Sequence, residues 1–132
     1  MTTFSITLRS TPRLAVILAG GLAGSALRTA AGAWIDWTPG GWPGATLLVN
    51  VSGAALAAFY LTRREASPSS ARSLDFWAIG VLGSFTTFSA LALETVLLLD
   101  AGRTAAAAGY AVCSTLAGVT AAWAGHAIGV RR

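Results

Sequence analysis

The chain has 132 residues, of which 55% are apolar and only 11% are charged, and its net charge is +4. A soluble domain of this size would need a charged surface, since roughly a quarter of the residues in soluble proteins are charged. The composition therefore excludes an ordinary soluble domain and indicates an integral membrane protein with one compact domain.

Four apolar segments are long enough to cross a bilayer, whose core of about 30 Å requires about 20 helical residues. They cover about residues 14–33, 45–61, 76–99 and 104–130. A proline- and glycine-rich run at 39–44, a polar linker at 62–75 and a short turn at 100–103 separate them. The sequence thus predicts an all-α membrane protein in which residues 1–132 form a single domain of four transmembrane helices.

Arginines are distributed unequally between the two ends of these helices. Four crossings place both termini on one side, together with seven arginines: Arg9, Arg13, Arg63, Arg64, Arg72, Arg131 and Arg132. The opposite loops contain only Arg103. This bias predicts cytoplasmic N and C termini. Because the arginines flank apolar runs instead of clustering with aromatic residues, the pattern argues against nucleic-acid binding.

One arginine lies inside the first crossing. Arg28 is costly at that depth unless it faces a cavity or a partner. It can offer a fixed positive charge to an anion at a vestibule, or it can extend to the membrane interface.

Polar residues recur at four-residue spacing in the second and fourth crossings. Thr46 and Asn50 share one helix face, as do Tyr110 and Ser114. Such groups either bond neighbouring helices and their own backbone or together form a weakly polar path for an ion. His126, near the end of the fourth crossing, is accompanied by no second histidine and no paired carboxylate and is assigned no role.

The third crossing contains the polar patch Thr86-Thr87-Phe88-Ser89, with Gly83 just before it. We expect the helix to break here, near the membrane midplane. Unwound backbone exposes carbonyl oxygens that can coordinate a small hard cation. The Phe88 ring has a positive edge that can face an anion. The sequence offers no nucleophile with a base, metal-ligand cluster or phosphate loop, so it does not predict an enzyme.

Motifs in all four crossings together resemble those of the small fluoride channels (Fluc or CrcB). They are Gly20-Gly21-x-x-Gly24-x-x-x-Arg28, Gly44-x-Thr46-Leu47-x-Val49-Asn50-x-x-Gly53, Gly80-x-x-Gly83-x-x-Thr86-Thr87-Phe88-Ser89-x-x-x-x-Glu94 and Tyr110-x-x-x-Ser114. Each motif is weak alone, but the four occur in order over about residues 14–129.

The resemblance implies an antiparallel dimer with two fluoride pores, a structural sodium ion between the subunits, and passive export of cytoplasmic fluoride across the plasma membrane. It implies that backbone carbonyls of Gly83 and Thr86 bind the sodium ion and that Arg28 and Glu94 lie near the pore mouths. It also implies a set of residues along the pore: Asn50, Phe88, the position of Leu91, Thr46, Tyr110 and Ser114.

Leu91 is a departure from the family pattern, which has a second phenylalanine at this position. Leucine has no polar edge with which to contact an anion. An antiparallel homodimer would also require one sequence to insert in both orientations, which the arginine bias disfavours. We therefore expect pairing with an oppositely oriented paralogue, in which this subunit is either non-conducting or half-competent.

A small proton-coupled multidrug exporter is a further alternative. Such a transporter would need a membrane-embedded carboxylate in its first helix. This chain has Arg28 there, and its only embedded acid, Glu94, lies in the third crossing.

Overall fold

The computed structural model describes residues 11–35, 38, 41–66 and 70–131. Within these ranges the elements are helical: α1 (Thr11–Trp34), α2 (Gly44–Ala66), α3 (71–85), α4 (Phe88–Asp100) and α5 (Thr104–Val130). Four stretches are long and apolar enough to cross a membrane: Pro12–Trp34, Gly44–Ala66, Ala71–Asp100 and Thr104–Val130. The predicted all-helical architecture with four membrane-crossing segments is confirmed.

Parts of the sequence predictions lie outside the described ranges. They concern Arg9, Trp37, Pro39, Gly40, Pro68 and Arg132.

The polar linker expected at 62–75 is helical at both of its ends. α2 continues to Ala66 with Arg63 and Arg64 in its last turn, where cations interact favourably with the helix dipole. α3 already begins at Ala71, where the Ser70 hydroxyl accepts a hydrogen bond from the Ser73 N–H at 3.2 Å.

α3 changes its hydrogen-bonding pattern along its length. It begins as the α-helix Ala71–Leu74, continues as the π-helix Asp75–Leu82 and ends with one α-helical turn, Gly83–Phe85. Thr86 (φ −77°, ψ 154°) and Thr87 (φ −149°, ψ 120°) then have extended backbone before α4 begins. The Ala71–Asp100 span therefore consists of two helices joined by two extended residues.

Close helix packing involves two pairs of glycines at four-residue spacing, Gly20/Gly24 and Gly125/Gly129. α1 packs mainly against the π segment of α3, and α2 packs mainly against α5. A Cβ on Gly24 would collide with the Val81 carbonyl, and one on Gly125 would collide with the Ala55 carbonyl. Close backbone approach of this kind is typical of helix contacts in lipid. Gly109, in contrast, has open space around it.

Two polar contacts join pairs of helices at the same end of the bundle. Arg13 donates two hydrogen bonds to Asp75, at 2.9 and 3.0 Å, and thereby joins α1 to α3. Asp75 is only 4% exposed, so this carboxylate is a buried partner and not part of a linker. His126, which the sequence left without a role, is hydrogen-bonded through Nδ1 to the Thr62 hydroxyl at 2.8 Å and joins α5 to α2.

The contact between α2 and α5 predicts unequal effects of alanine at two glycines of α5. We expect Gly125→Ala to lower the free energy of unfolding by about 1–3 kcal/mol, because the new methyl group collides with backbone of α2. Gly118→Ala is the matched control, since nothing lies within 4 Å of its Cβ position. Equilibrium unfolding in mixed detergent micelles, followed by circular dichroism, measures both. Equal destabilisation by the two variants would contradict the packing described here.

Candidate functional site

An open groove beside the interrupted helix has a volume of about 470 Å³. It is lined by α2, α3, the extended residues and α4, and we call it the phenylalanine groove. The lining includes five residues that the sequence had assigned to the pore or to the sodium ion: Asn50, Gly83, Thr86, Phe88 and Leu91. Three separate stretches of sequence thus meet at one surface.

Phe88 and Leu91 contribute to this groove in different ways. Phe88 is the first residue of α4, and its side chain is 80% exposed within the single chain. Leu91 lies one turn later, is partly buried, and packs against the core cluster of Leu98, Ala107 and Tyr110. The aromatic ring therefore projects from the subunit, whereas the leucine side chain forms part of the wall.

The interrupted helix is held by the side-chain amide of Asn50. Its Nδ2 donates to the Thr87 carbonyl at 2.8 Å, and its Oδ1 accepts from the Thr87 N–H at 2.7 Å. One side chain thus satisfies both backbone groups of an extended residue. In a lipid environment, leaving those groups unpaired would cost several kcal/mol each.

The pairing of the Asn50 amide with Thr87 changes which backbone carbonyls near the interruption accept hydrogen bonds. In a continuous helix the N–H groups of residues 87 and 90 would donate to the carbonyls of Gly83 and Thr86. Here the Thr87 N–H donates to Asn50, and the Ala90 N–H donates to the Thr87 hydroxyl at 3.1 Å. The carbonyls of Gly83 and Thr86 therefore lose their helical donors.

Backbone carbonyl oxygens are suitable ligands for a hard cation. The two oxygens named for sodium in the sequence analysis are thus chemically suited to the ion, although one chain supplies few ligands. The Thr86 carbonyl also accepts a long hydrogen bond of 3.4 Å from the Arg28 guanidinium.

A second groove, of about 550 Å³, lies between α1, α2 and α4. We call it the vestibule groove. Its polar lining residues are Arg28, Thr29, Thr46, Thr87, Ser89 and Glu94. Both residues that the sequence placed near a pore mouth, Arg28 and Glu94, line it. Because Thr87 lines both grooves, the extended segment separates them.

Glu94 is the centre of a polar cluster behind the vestibule groove. Its two carboxylate oxygens accept hydrogen bonds of 2.6 Å from the hydroxyls of Thr46 and Tyr110. Tyr110 is completely buried and lies edge-on to Trp42, with 5.7 Å between ring centroids. Ser114 is also buried, and its hydroxyl has no hydrogen-bond partner among the described residues.

The residues expected along the pore therefore lie at three places. Asn50, Phe88 and Leu91 line the phenylalanine groove, and Thr46 lines the vestibule groove. Tyr110 and Ser114 line neither of these two grooves and instead lie in the interior. Tyr110 is next to Glu94, and Ser114 lies one turn beyond Tyr110 on α5.

Thr87 and Ser89 were noted in the polar patch but were given no place in the site. Thr87 bonds Asn50 and caps α4, and its hydroxyl also lies 3.1 Å from that of Ser89. The available signal was the threonine immediately before a helical run, which is typical of an N-cap.

Four segments long and apolar enough to cross a membrane, with a groove on each side of an interrupted helix, define a multi-pass membrane protein. Residues 15–126 match the model of the family described as CrcB-like protein, Camphor Resistance (CrcB). The chain belongs to this family.

Several curated relatives are similar over most of both chains. A protein of Anaeromyxobacter dehalogenans is 42% identical over 116 residues, which cover 85% of this chain and 90% of the relative. One of Pseudomonas fluorescens is 40% identical over 122 residues, covering 86% and 94%. One of Thermus thermophilus is 39% identical over 118 residues, covering 89% and 93%. Each is named fluoride-specific ion channel FluC. These names are those of ion channels and agree with the prediction that this chain is not an enzyme.

The double hydrogen bond of Asn50 predicts an unusually large effect of a small substitution. We expect Asn50→Ala to lower the free energy of unfolding by about 2–4 kcal/mol, because two hydrogen bonds are lost and two backbone groups are left unpaired. Ser52→Ala is the control on the same helix, since that hydroxyl bonds only carbonyls of its own preceding turn. Unfolding in mixed micelles compares the two. A loss no larger for Asn50→Ala than for Ser52→Ala would show that the amide does not hold the interruption.

Proposed function

We propose that this chain is a subunit of a fluoride-specific ion channel of the plasma membrane, through which cytoplasmic fluoride leaves passively. The observation that carries the proposal is the phenylalanine groove. Asn50 of α2 meets Gly83, Thr86, Phe88 and Leu91 of the interrupted third crossing there. The proposal is supported by relatives of 39–42% identity that carry the name of this activity.

The chemistry of the two grooves suits a small anion. The exposed Phe88 ring can present its positive edge without introducing a full charge that would trap the ion. Arg28 in the vestibule groove can raise the local concentration of anions. The charge of Glu94 is partly offset by two hydroxyl donors, which makes this carboxylate less repulsive to a passing anion.

The subunit is proposed to act in an antiparallel dimer with two pores. An aromatic ring that is 80% exposed beside an open groove is suited to packing against a second subunit. In that arrangement the interruption of the third crossing lies near the membrane midplane. The carbonyls of Gly83 and Thr86 from both subunits would then surround a structural sodium ion, which supplies a positive charge that holds the two broken helices together.

A second candidate is a heterodimer with an oppositely oriented paralogue. Two observations favour it: Leu91 replaces an aromatic edge in the wall of the groove, and the arginines lie predominantly at one end of the helices. The N and C termini would be cytoplasmic in this subunit. The multidrug exporter is less compatible with the geometry, because Glu94 is already engaged by Thr46 and Tyr110.

The role of Phe88 predicts a loss of fluoride permeation in a single variant. We expect Phe88→Leu to slow fluoride efflux from proteoliposomes by about tenfold, because the polar ring edge is lost while the apolar volume is largely kept. A fluoride-selective electrode records the efflux. Trp123→Leu is the control, since Trp123 is 74% exposed and lines none of the described grooves. Unchanged efflux in a verified Phe88→Leu protein would show that the Phe88 ring contributes only to packing.

The same assay separates the two candidate functions. A homodimeric channel gives efflux with this chain alone. A heterodimeric channel gives efflux only after mixing with an oppositely oriented paralogue. Efflux that first appears in the Leu91→Phe variant of this chain alone would show that the missing ring edge, and not a missing partner, limits a homodimer. Absence of efflux in all three preparations would argue against a channel role for this subunit.

The position of Gly83 predicts an effect on assembly that is distinct from folding. A Cβ at Gly83 meets only the Ala78 carbonyl, at 3.6 Å, so the chain itself tolerates a side chain there. Leucine would nevertheless extend into the phenylalanine groove, and we expect Gly83→Leu to shift the protein from dimer to monomer. Cross-linking in vesicles containing sodium measures this shift. Gly118→Leu, at an open position on α5, is the control, and equal dimer fractions in both variants would contradict the proposed interface.

A further inference from the structure

A third groove lies between α1, α2 and the π segment of α3, and it has no role in the proposed permeation path. Its volume is about 300 Å³. The principal lining side chains are apolar or aromatic: Leu27, Leu56, Phe59, Trp77, Val81 and Phe85. We call it the apolar groove.

One end of the apolar groove has a polar contact, and arginines are near it in the sequence. The Tyr60 hydroxyl, from a residue that lines the groove, lies 2.8 Å from the Ser73 hydroxyl and joins α2 to α3. The Arg63 guanidinium carbon lies 5.6 Å from the centre of the Phe59 ring. Arg64 follows in α2, and Arg72 precedes Ser73 in α3. The groove thus runs from an apolar interior to a basic end.

The charge at this end is not neutralised by nearby acids. Of the described acidic residues there, Asp75 is paired with Arg13, and Glu65 is the other. The Nε of Arg64 is buried and has no hydrogen-bond partner among the described residues. Arg63, Arg64 and Arg72 therefore outnumber the carboxylate available to them.

We propose that the apolar groove binds an acyl chain of an anionic phospholipid whose phosphate is held by Arg63, Arg64 and Arg72. Arginine binds phosphate through two parallel hydrogen bonds and suits this task. Basic pockets between transmembrane helices are a recognised form of binding site for anionic lipid head groups. Arg63 and Arg64 lie in the last turn of α2 and Arg72 in the first turn of α3, the helix ends at which lipid head groups would meet the protein.

A lipid fits this groove better than a second copy of the chain. The phenylalanine groove, where the dimer is proposed to form, uses Asn50, Gly53 and Ala57 of α2, whereas the apolar groove uses Leu56, Phe59 and Tyr60. These sets lie on different faces of α2. The two grooves adjoin at Leu82, which lines both, while Phe59 lies on the side of α2 opposite Asn50. The inference does not depend on whether the chain conducts fluoride.

Quenching of Trp77 by brominated lipids tests the proposal. The full chain is prepared with Trp77 as its only tryptophan, the others being replaced by phenylalanine, and is reconstituted in vesicles of phosphatidylcholine. Increasing mole fractions of brominated phosphatidylglycerol or brominated phosphatidylcholine are then included in both leaflets. We expect brominated phosphatidylglycerol to reach half-maximal quenching at a lower mole fraction, by about fivefold for each arginine that contacts the head group, because phosphatidylcholine carries a choline cation that offsets its phosphate.

Two comparisons make the result specific. A chain with Trp123 as its only tryptophan should show no preference, because this exposed residue on α5 lies outside the groove. The variant R63Q/R64Q/R72Q should retain quenching of Trp77 but lose the preference for phosphatidylglycerol. Because both leaflets have the same composition, a change of orientation in this variant does not alter the lipid that the groove meets.

Three results would overturn the proposal. Equal quenching of Trp77 by the two lipids would show general lipid exposure, and a preference that survives the three substitutions would exclude the arginines as the phosphate site. Protection of Trp77 from both lipids would show that a second copy of the chain covers the groove.

Discussion

The site depends on the pair of hydrogen bonds between the Asn50 amide and the backbone of Thr87. A helix interrupted inside a bilayer leaves N–H and C=O groups without partners, and there is no water in the hydrocarbon core to replace them. A carboxamide carries a donor and an acceptor and can satisfy both groups of one residue. Asn50 does this at 2.8 and 2.7 Å, and the two extended residues can persist for that reason.

The consequences extend to both sides of the interruption. Because Thr87 is held by Asn50, its hydroxyl is free to cap α4, and the first residue of that helix, Phe88, projects outward. The same extended segment forms a wall of the phenylalanine groove and of the vestibule groove. Glu94, one and a half turns further along α4, is fixed by Thr46 and Tyr110. α2 therefore positions both ends of the polar region through residues one turn apart, Thr46 and Asn50.

The sequence predicted the four crossings well because hydropathy and length are properties of each segment alone. It also pointed to the interruption itself, since glycine, threonine and phenylalanine occur there in an otherwise apolar run. It did not predict that Asn50 would bond Thr87 or that Asp75 would pair with Arg13. These contacts depend on the rotation of one helix relative to another, which a periodicity read along one segment does not specify.

The four-residue spacing of small side chains likewise did not specify which helices would be in contact. Gly20/Gly24 and Gly125/Gly129 make close contacts inside the chain, whereas Gly109 with the same kind of spacing has open space around it. A four-residue repeat of small side chains indicates a surface that another helix can approach closely, but it does not say which helix does so.

The π-helix Asp75–Leu82 has a consequence for the alignment of related chains. In a π-helix each hydrogen bond joins residues i and i+5 and therefore spans one residue more than a bond of an α-helix. Such a segment accommodates one additional residue relative to an α-helix. A chain that lacks one residue in this stretch could restore α-helical bonding there and keep Gly83, Thr86 and Phe88 in their places. Its residues before the segment would then be rotated about the helix axis. Equivalent positions at the start of the third crossing are thus defined by orientation and not by counting residues back from the interruption.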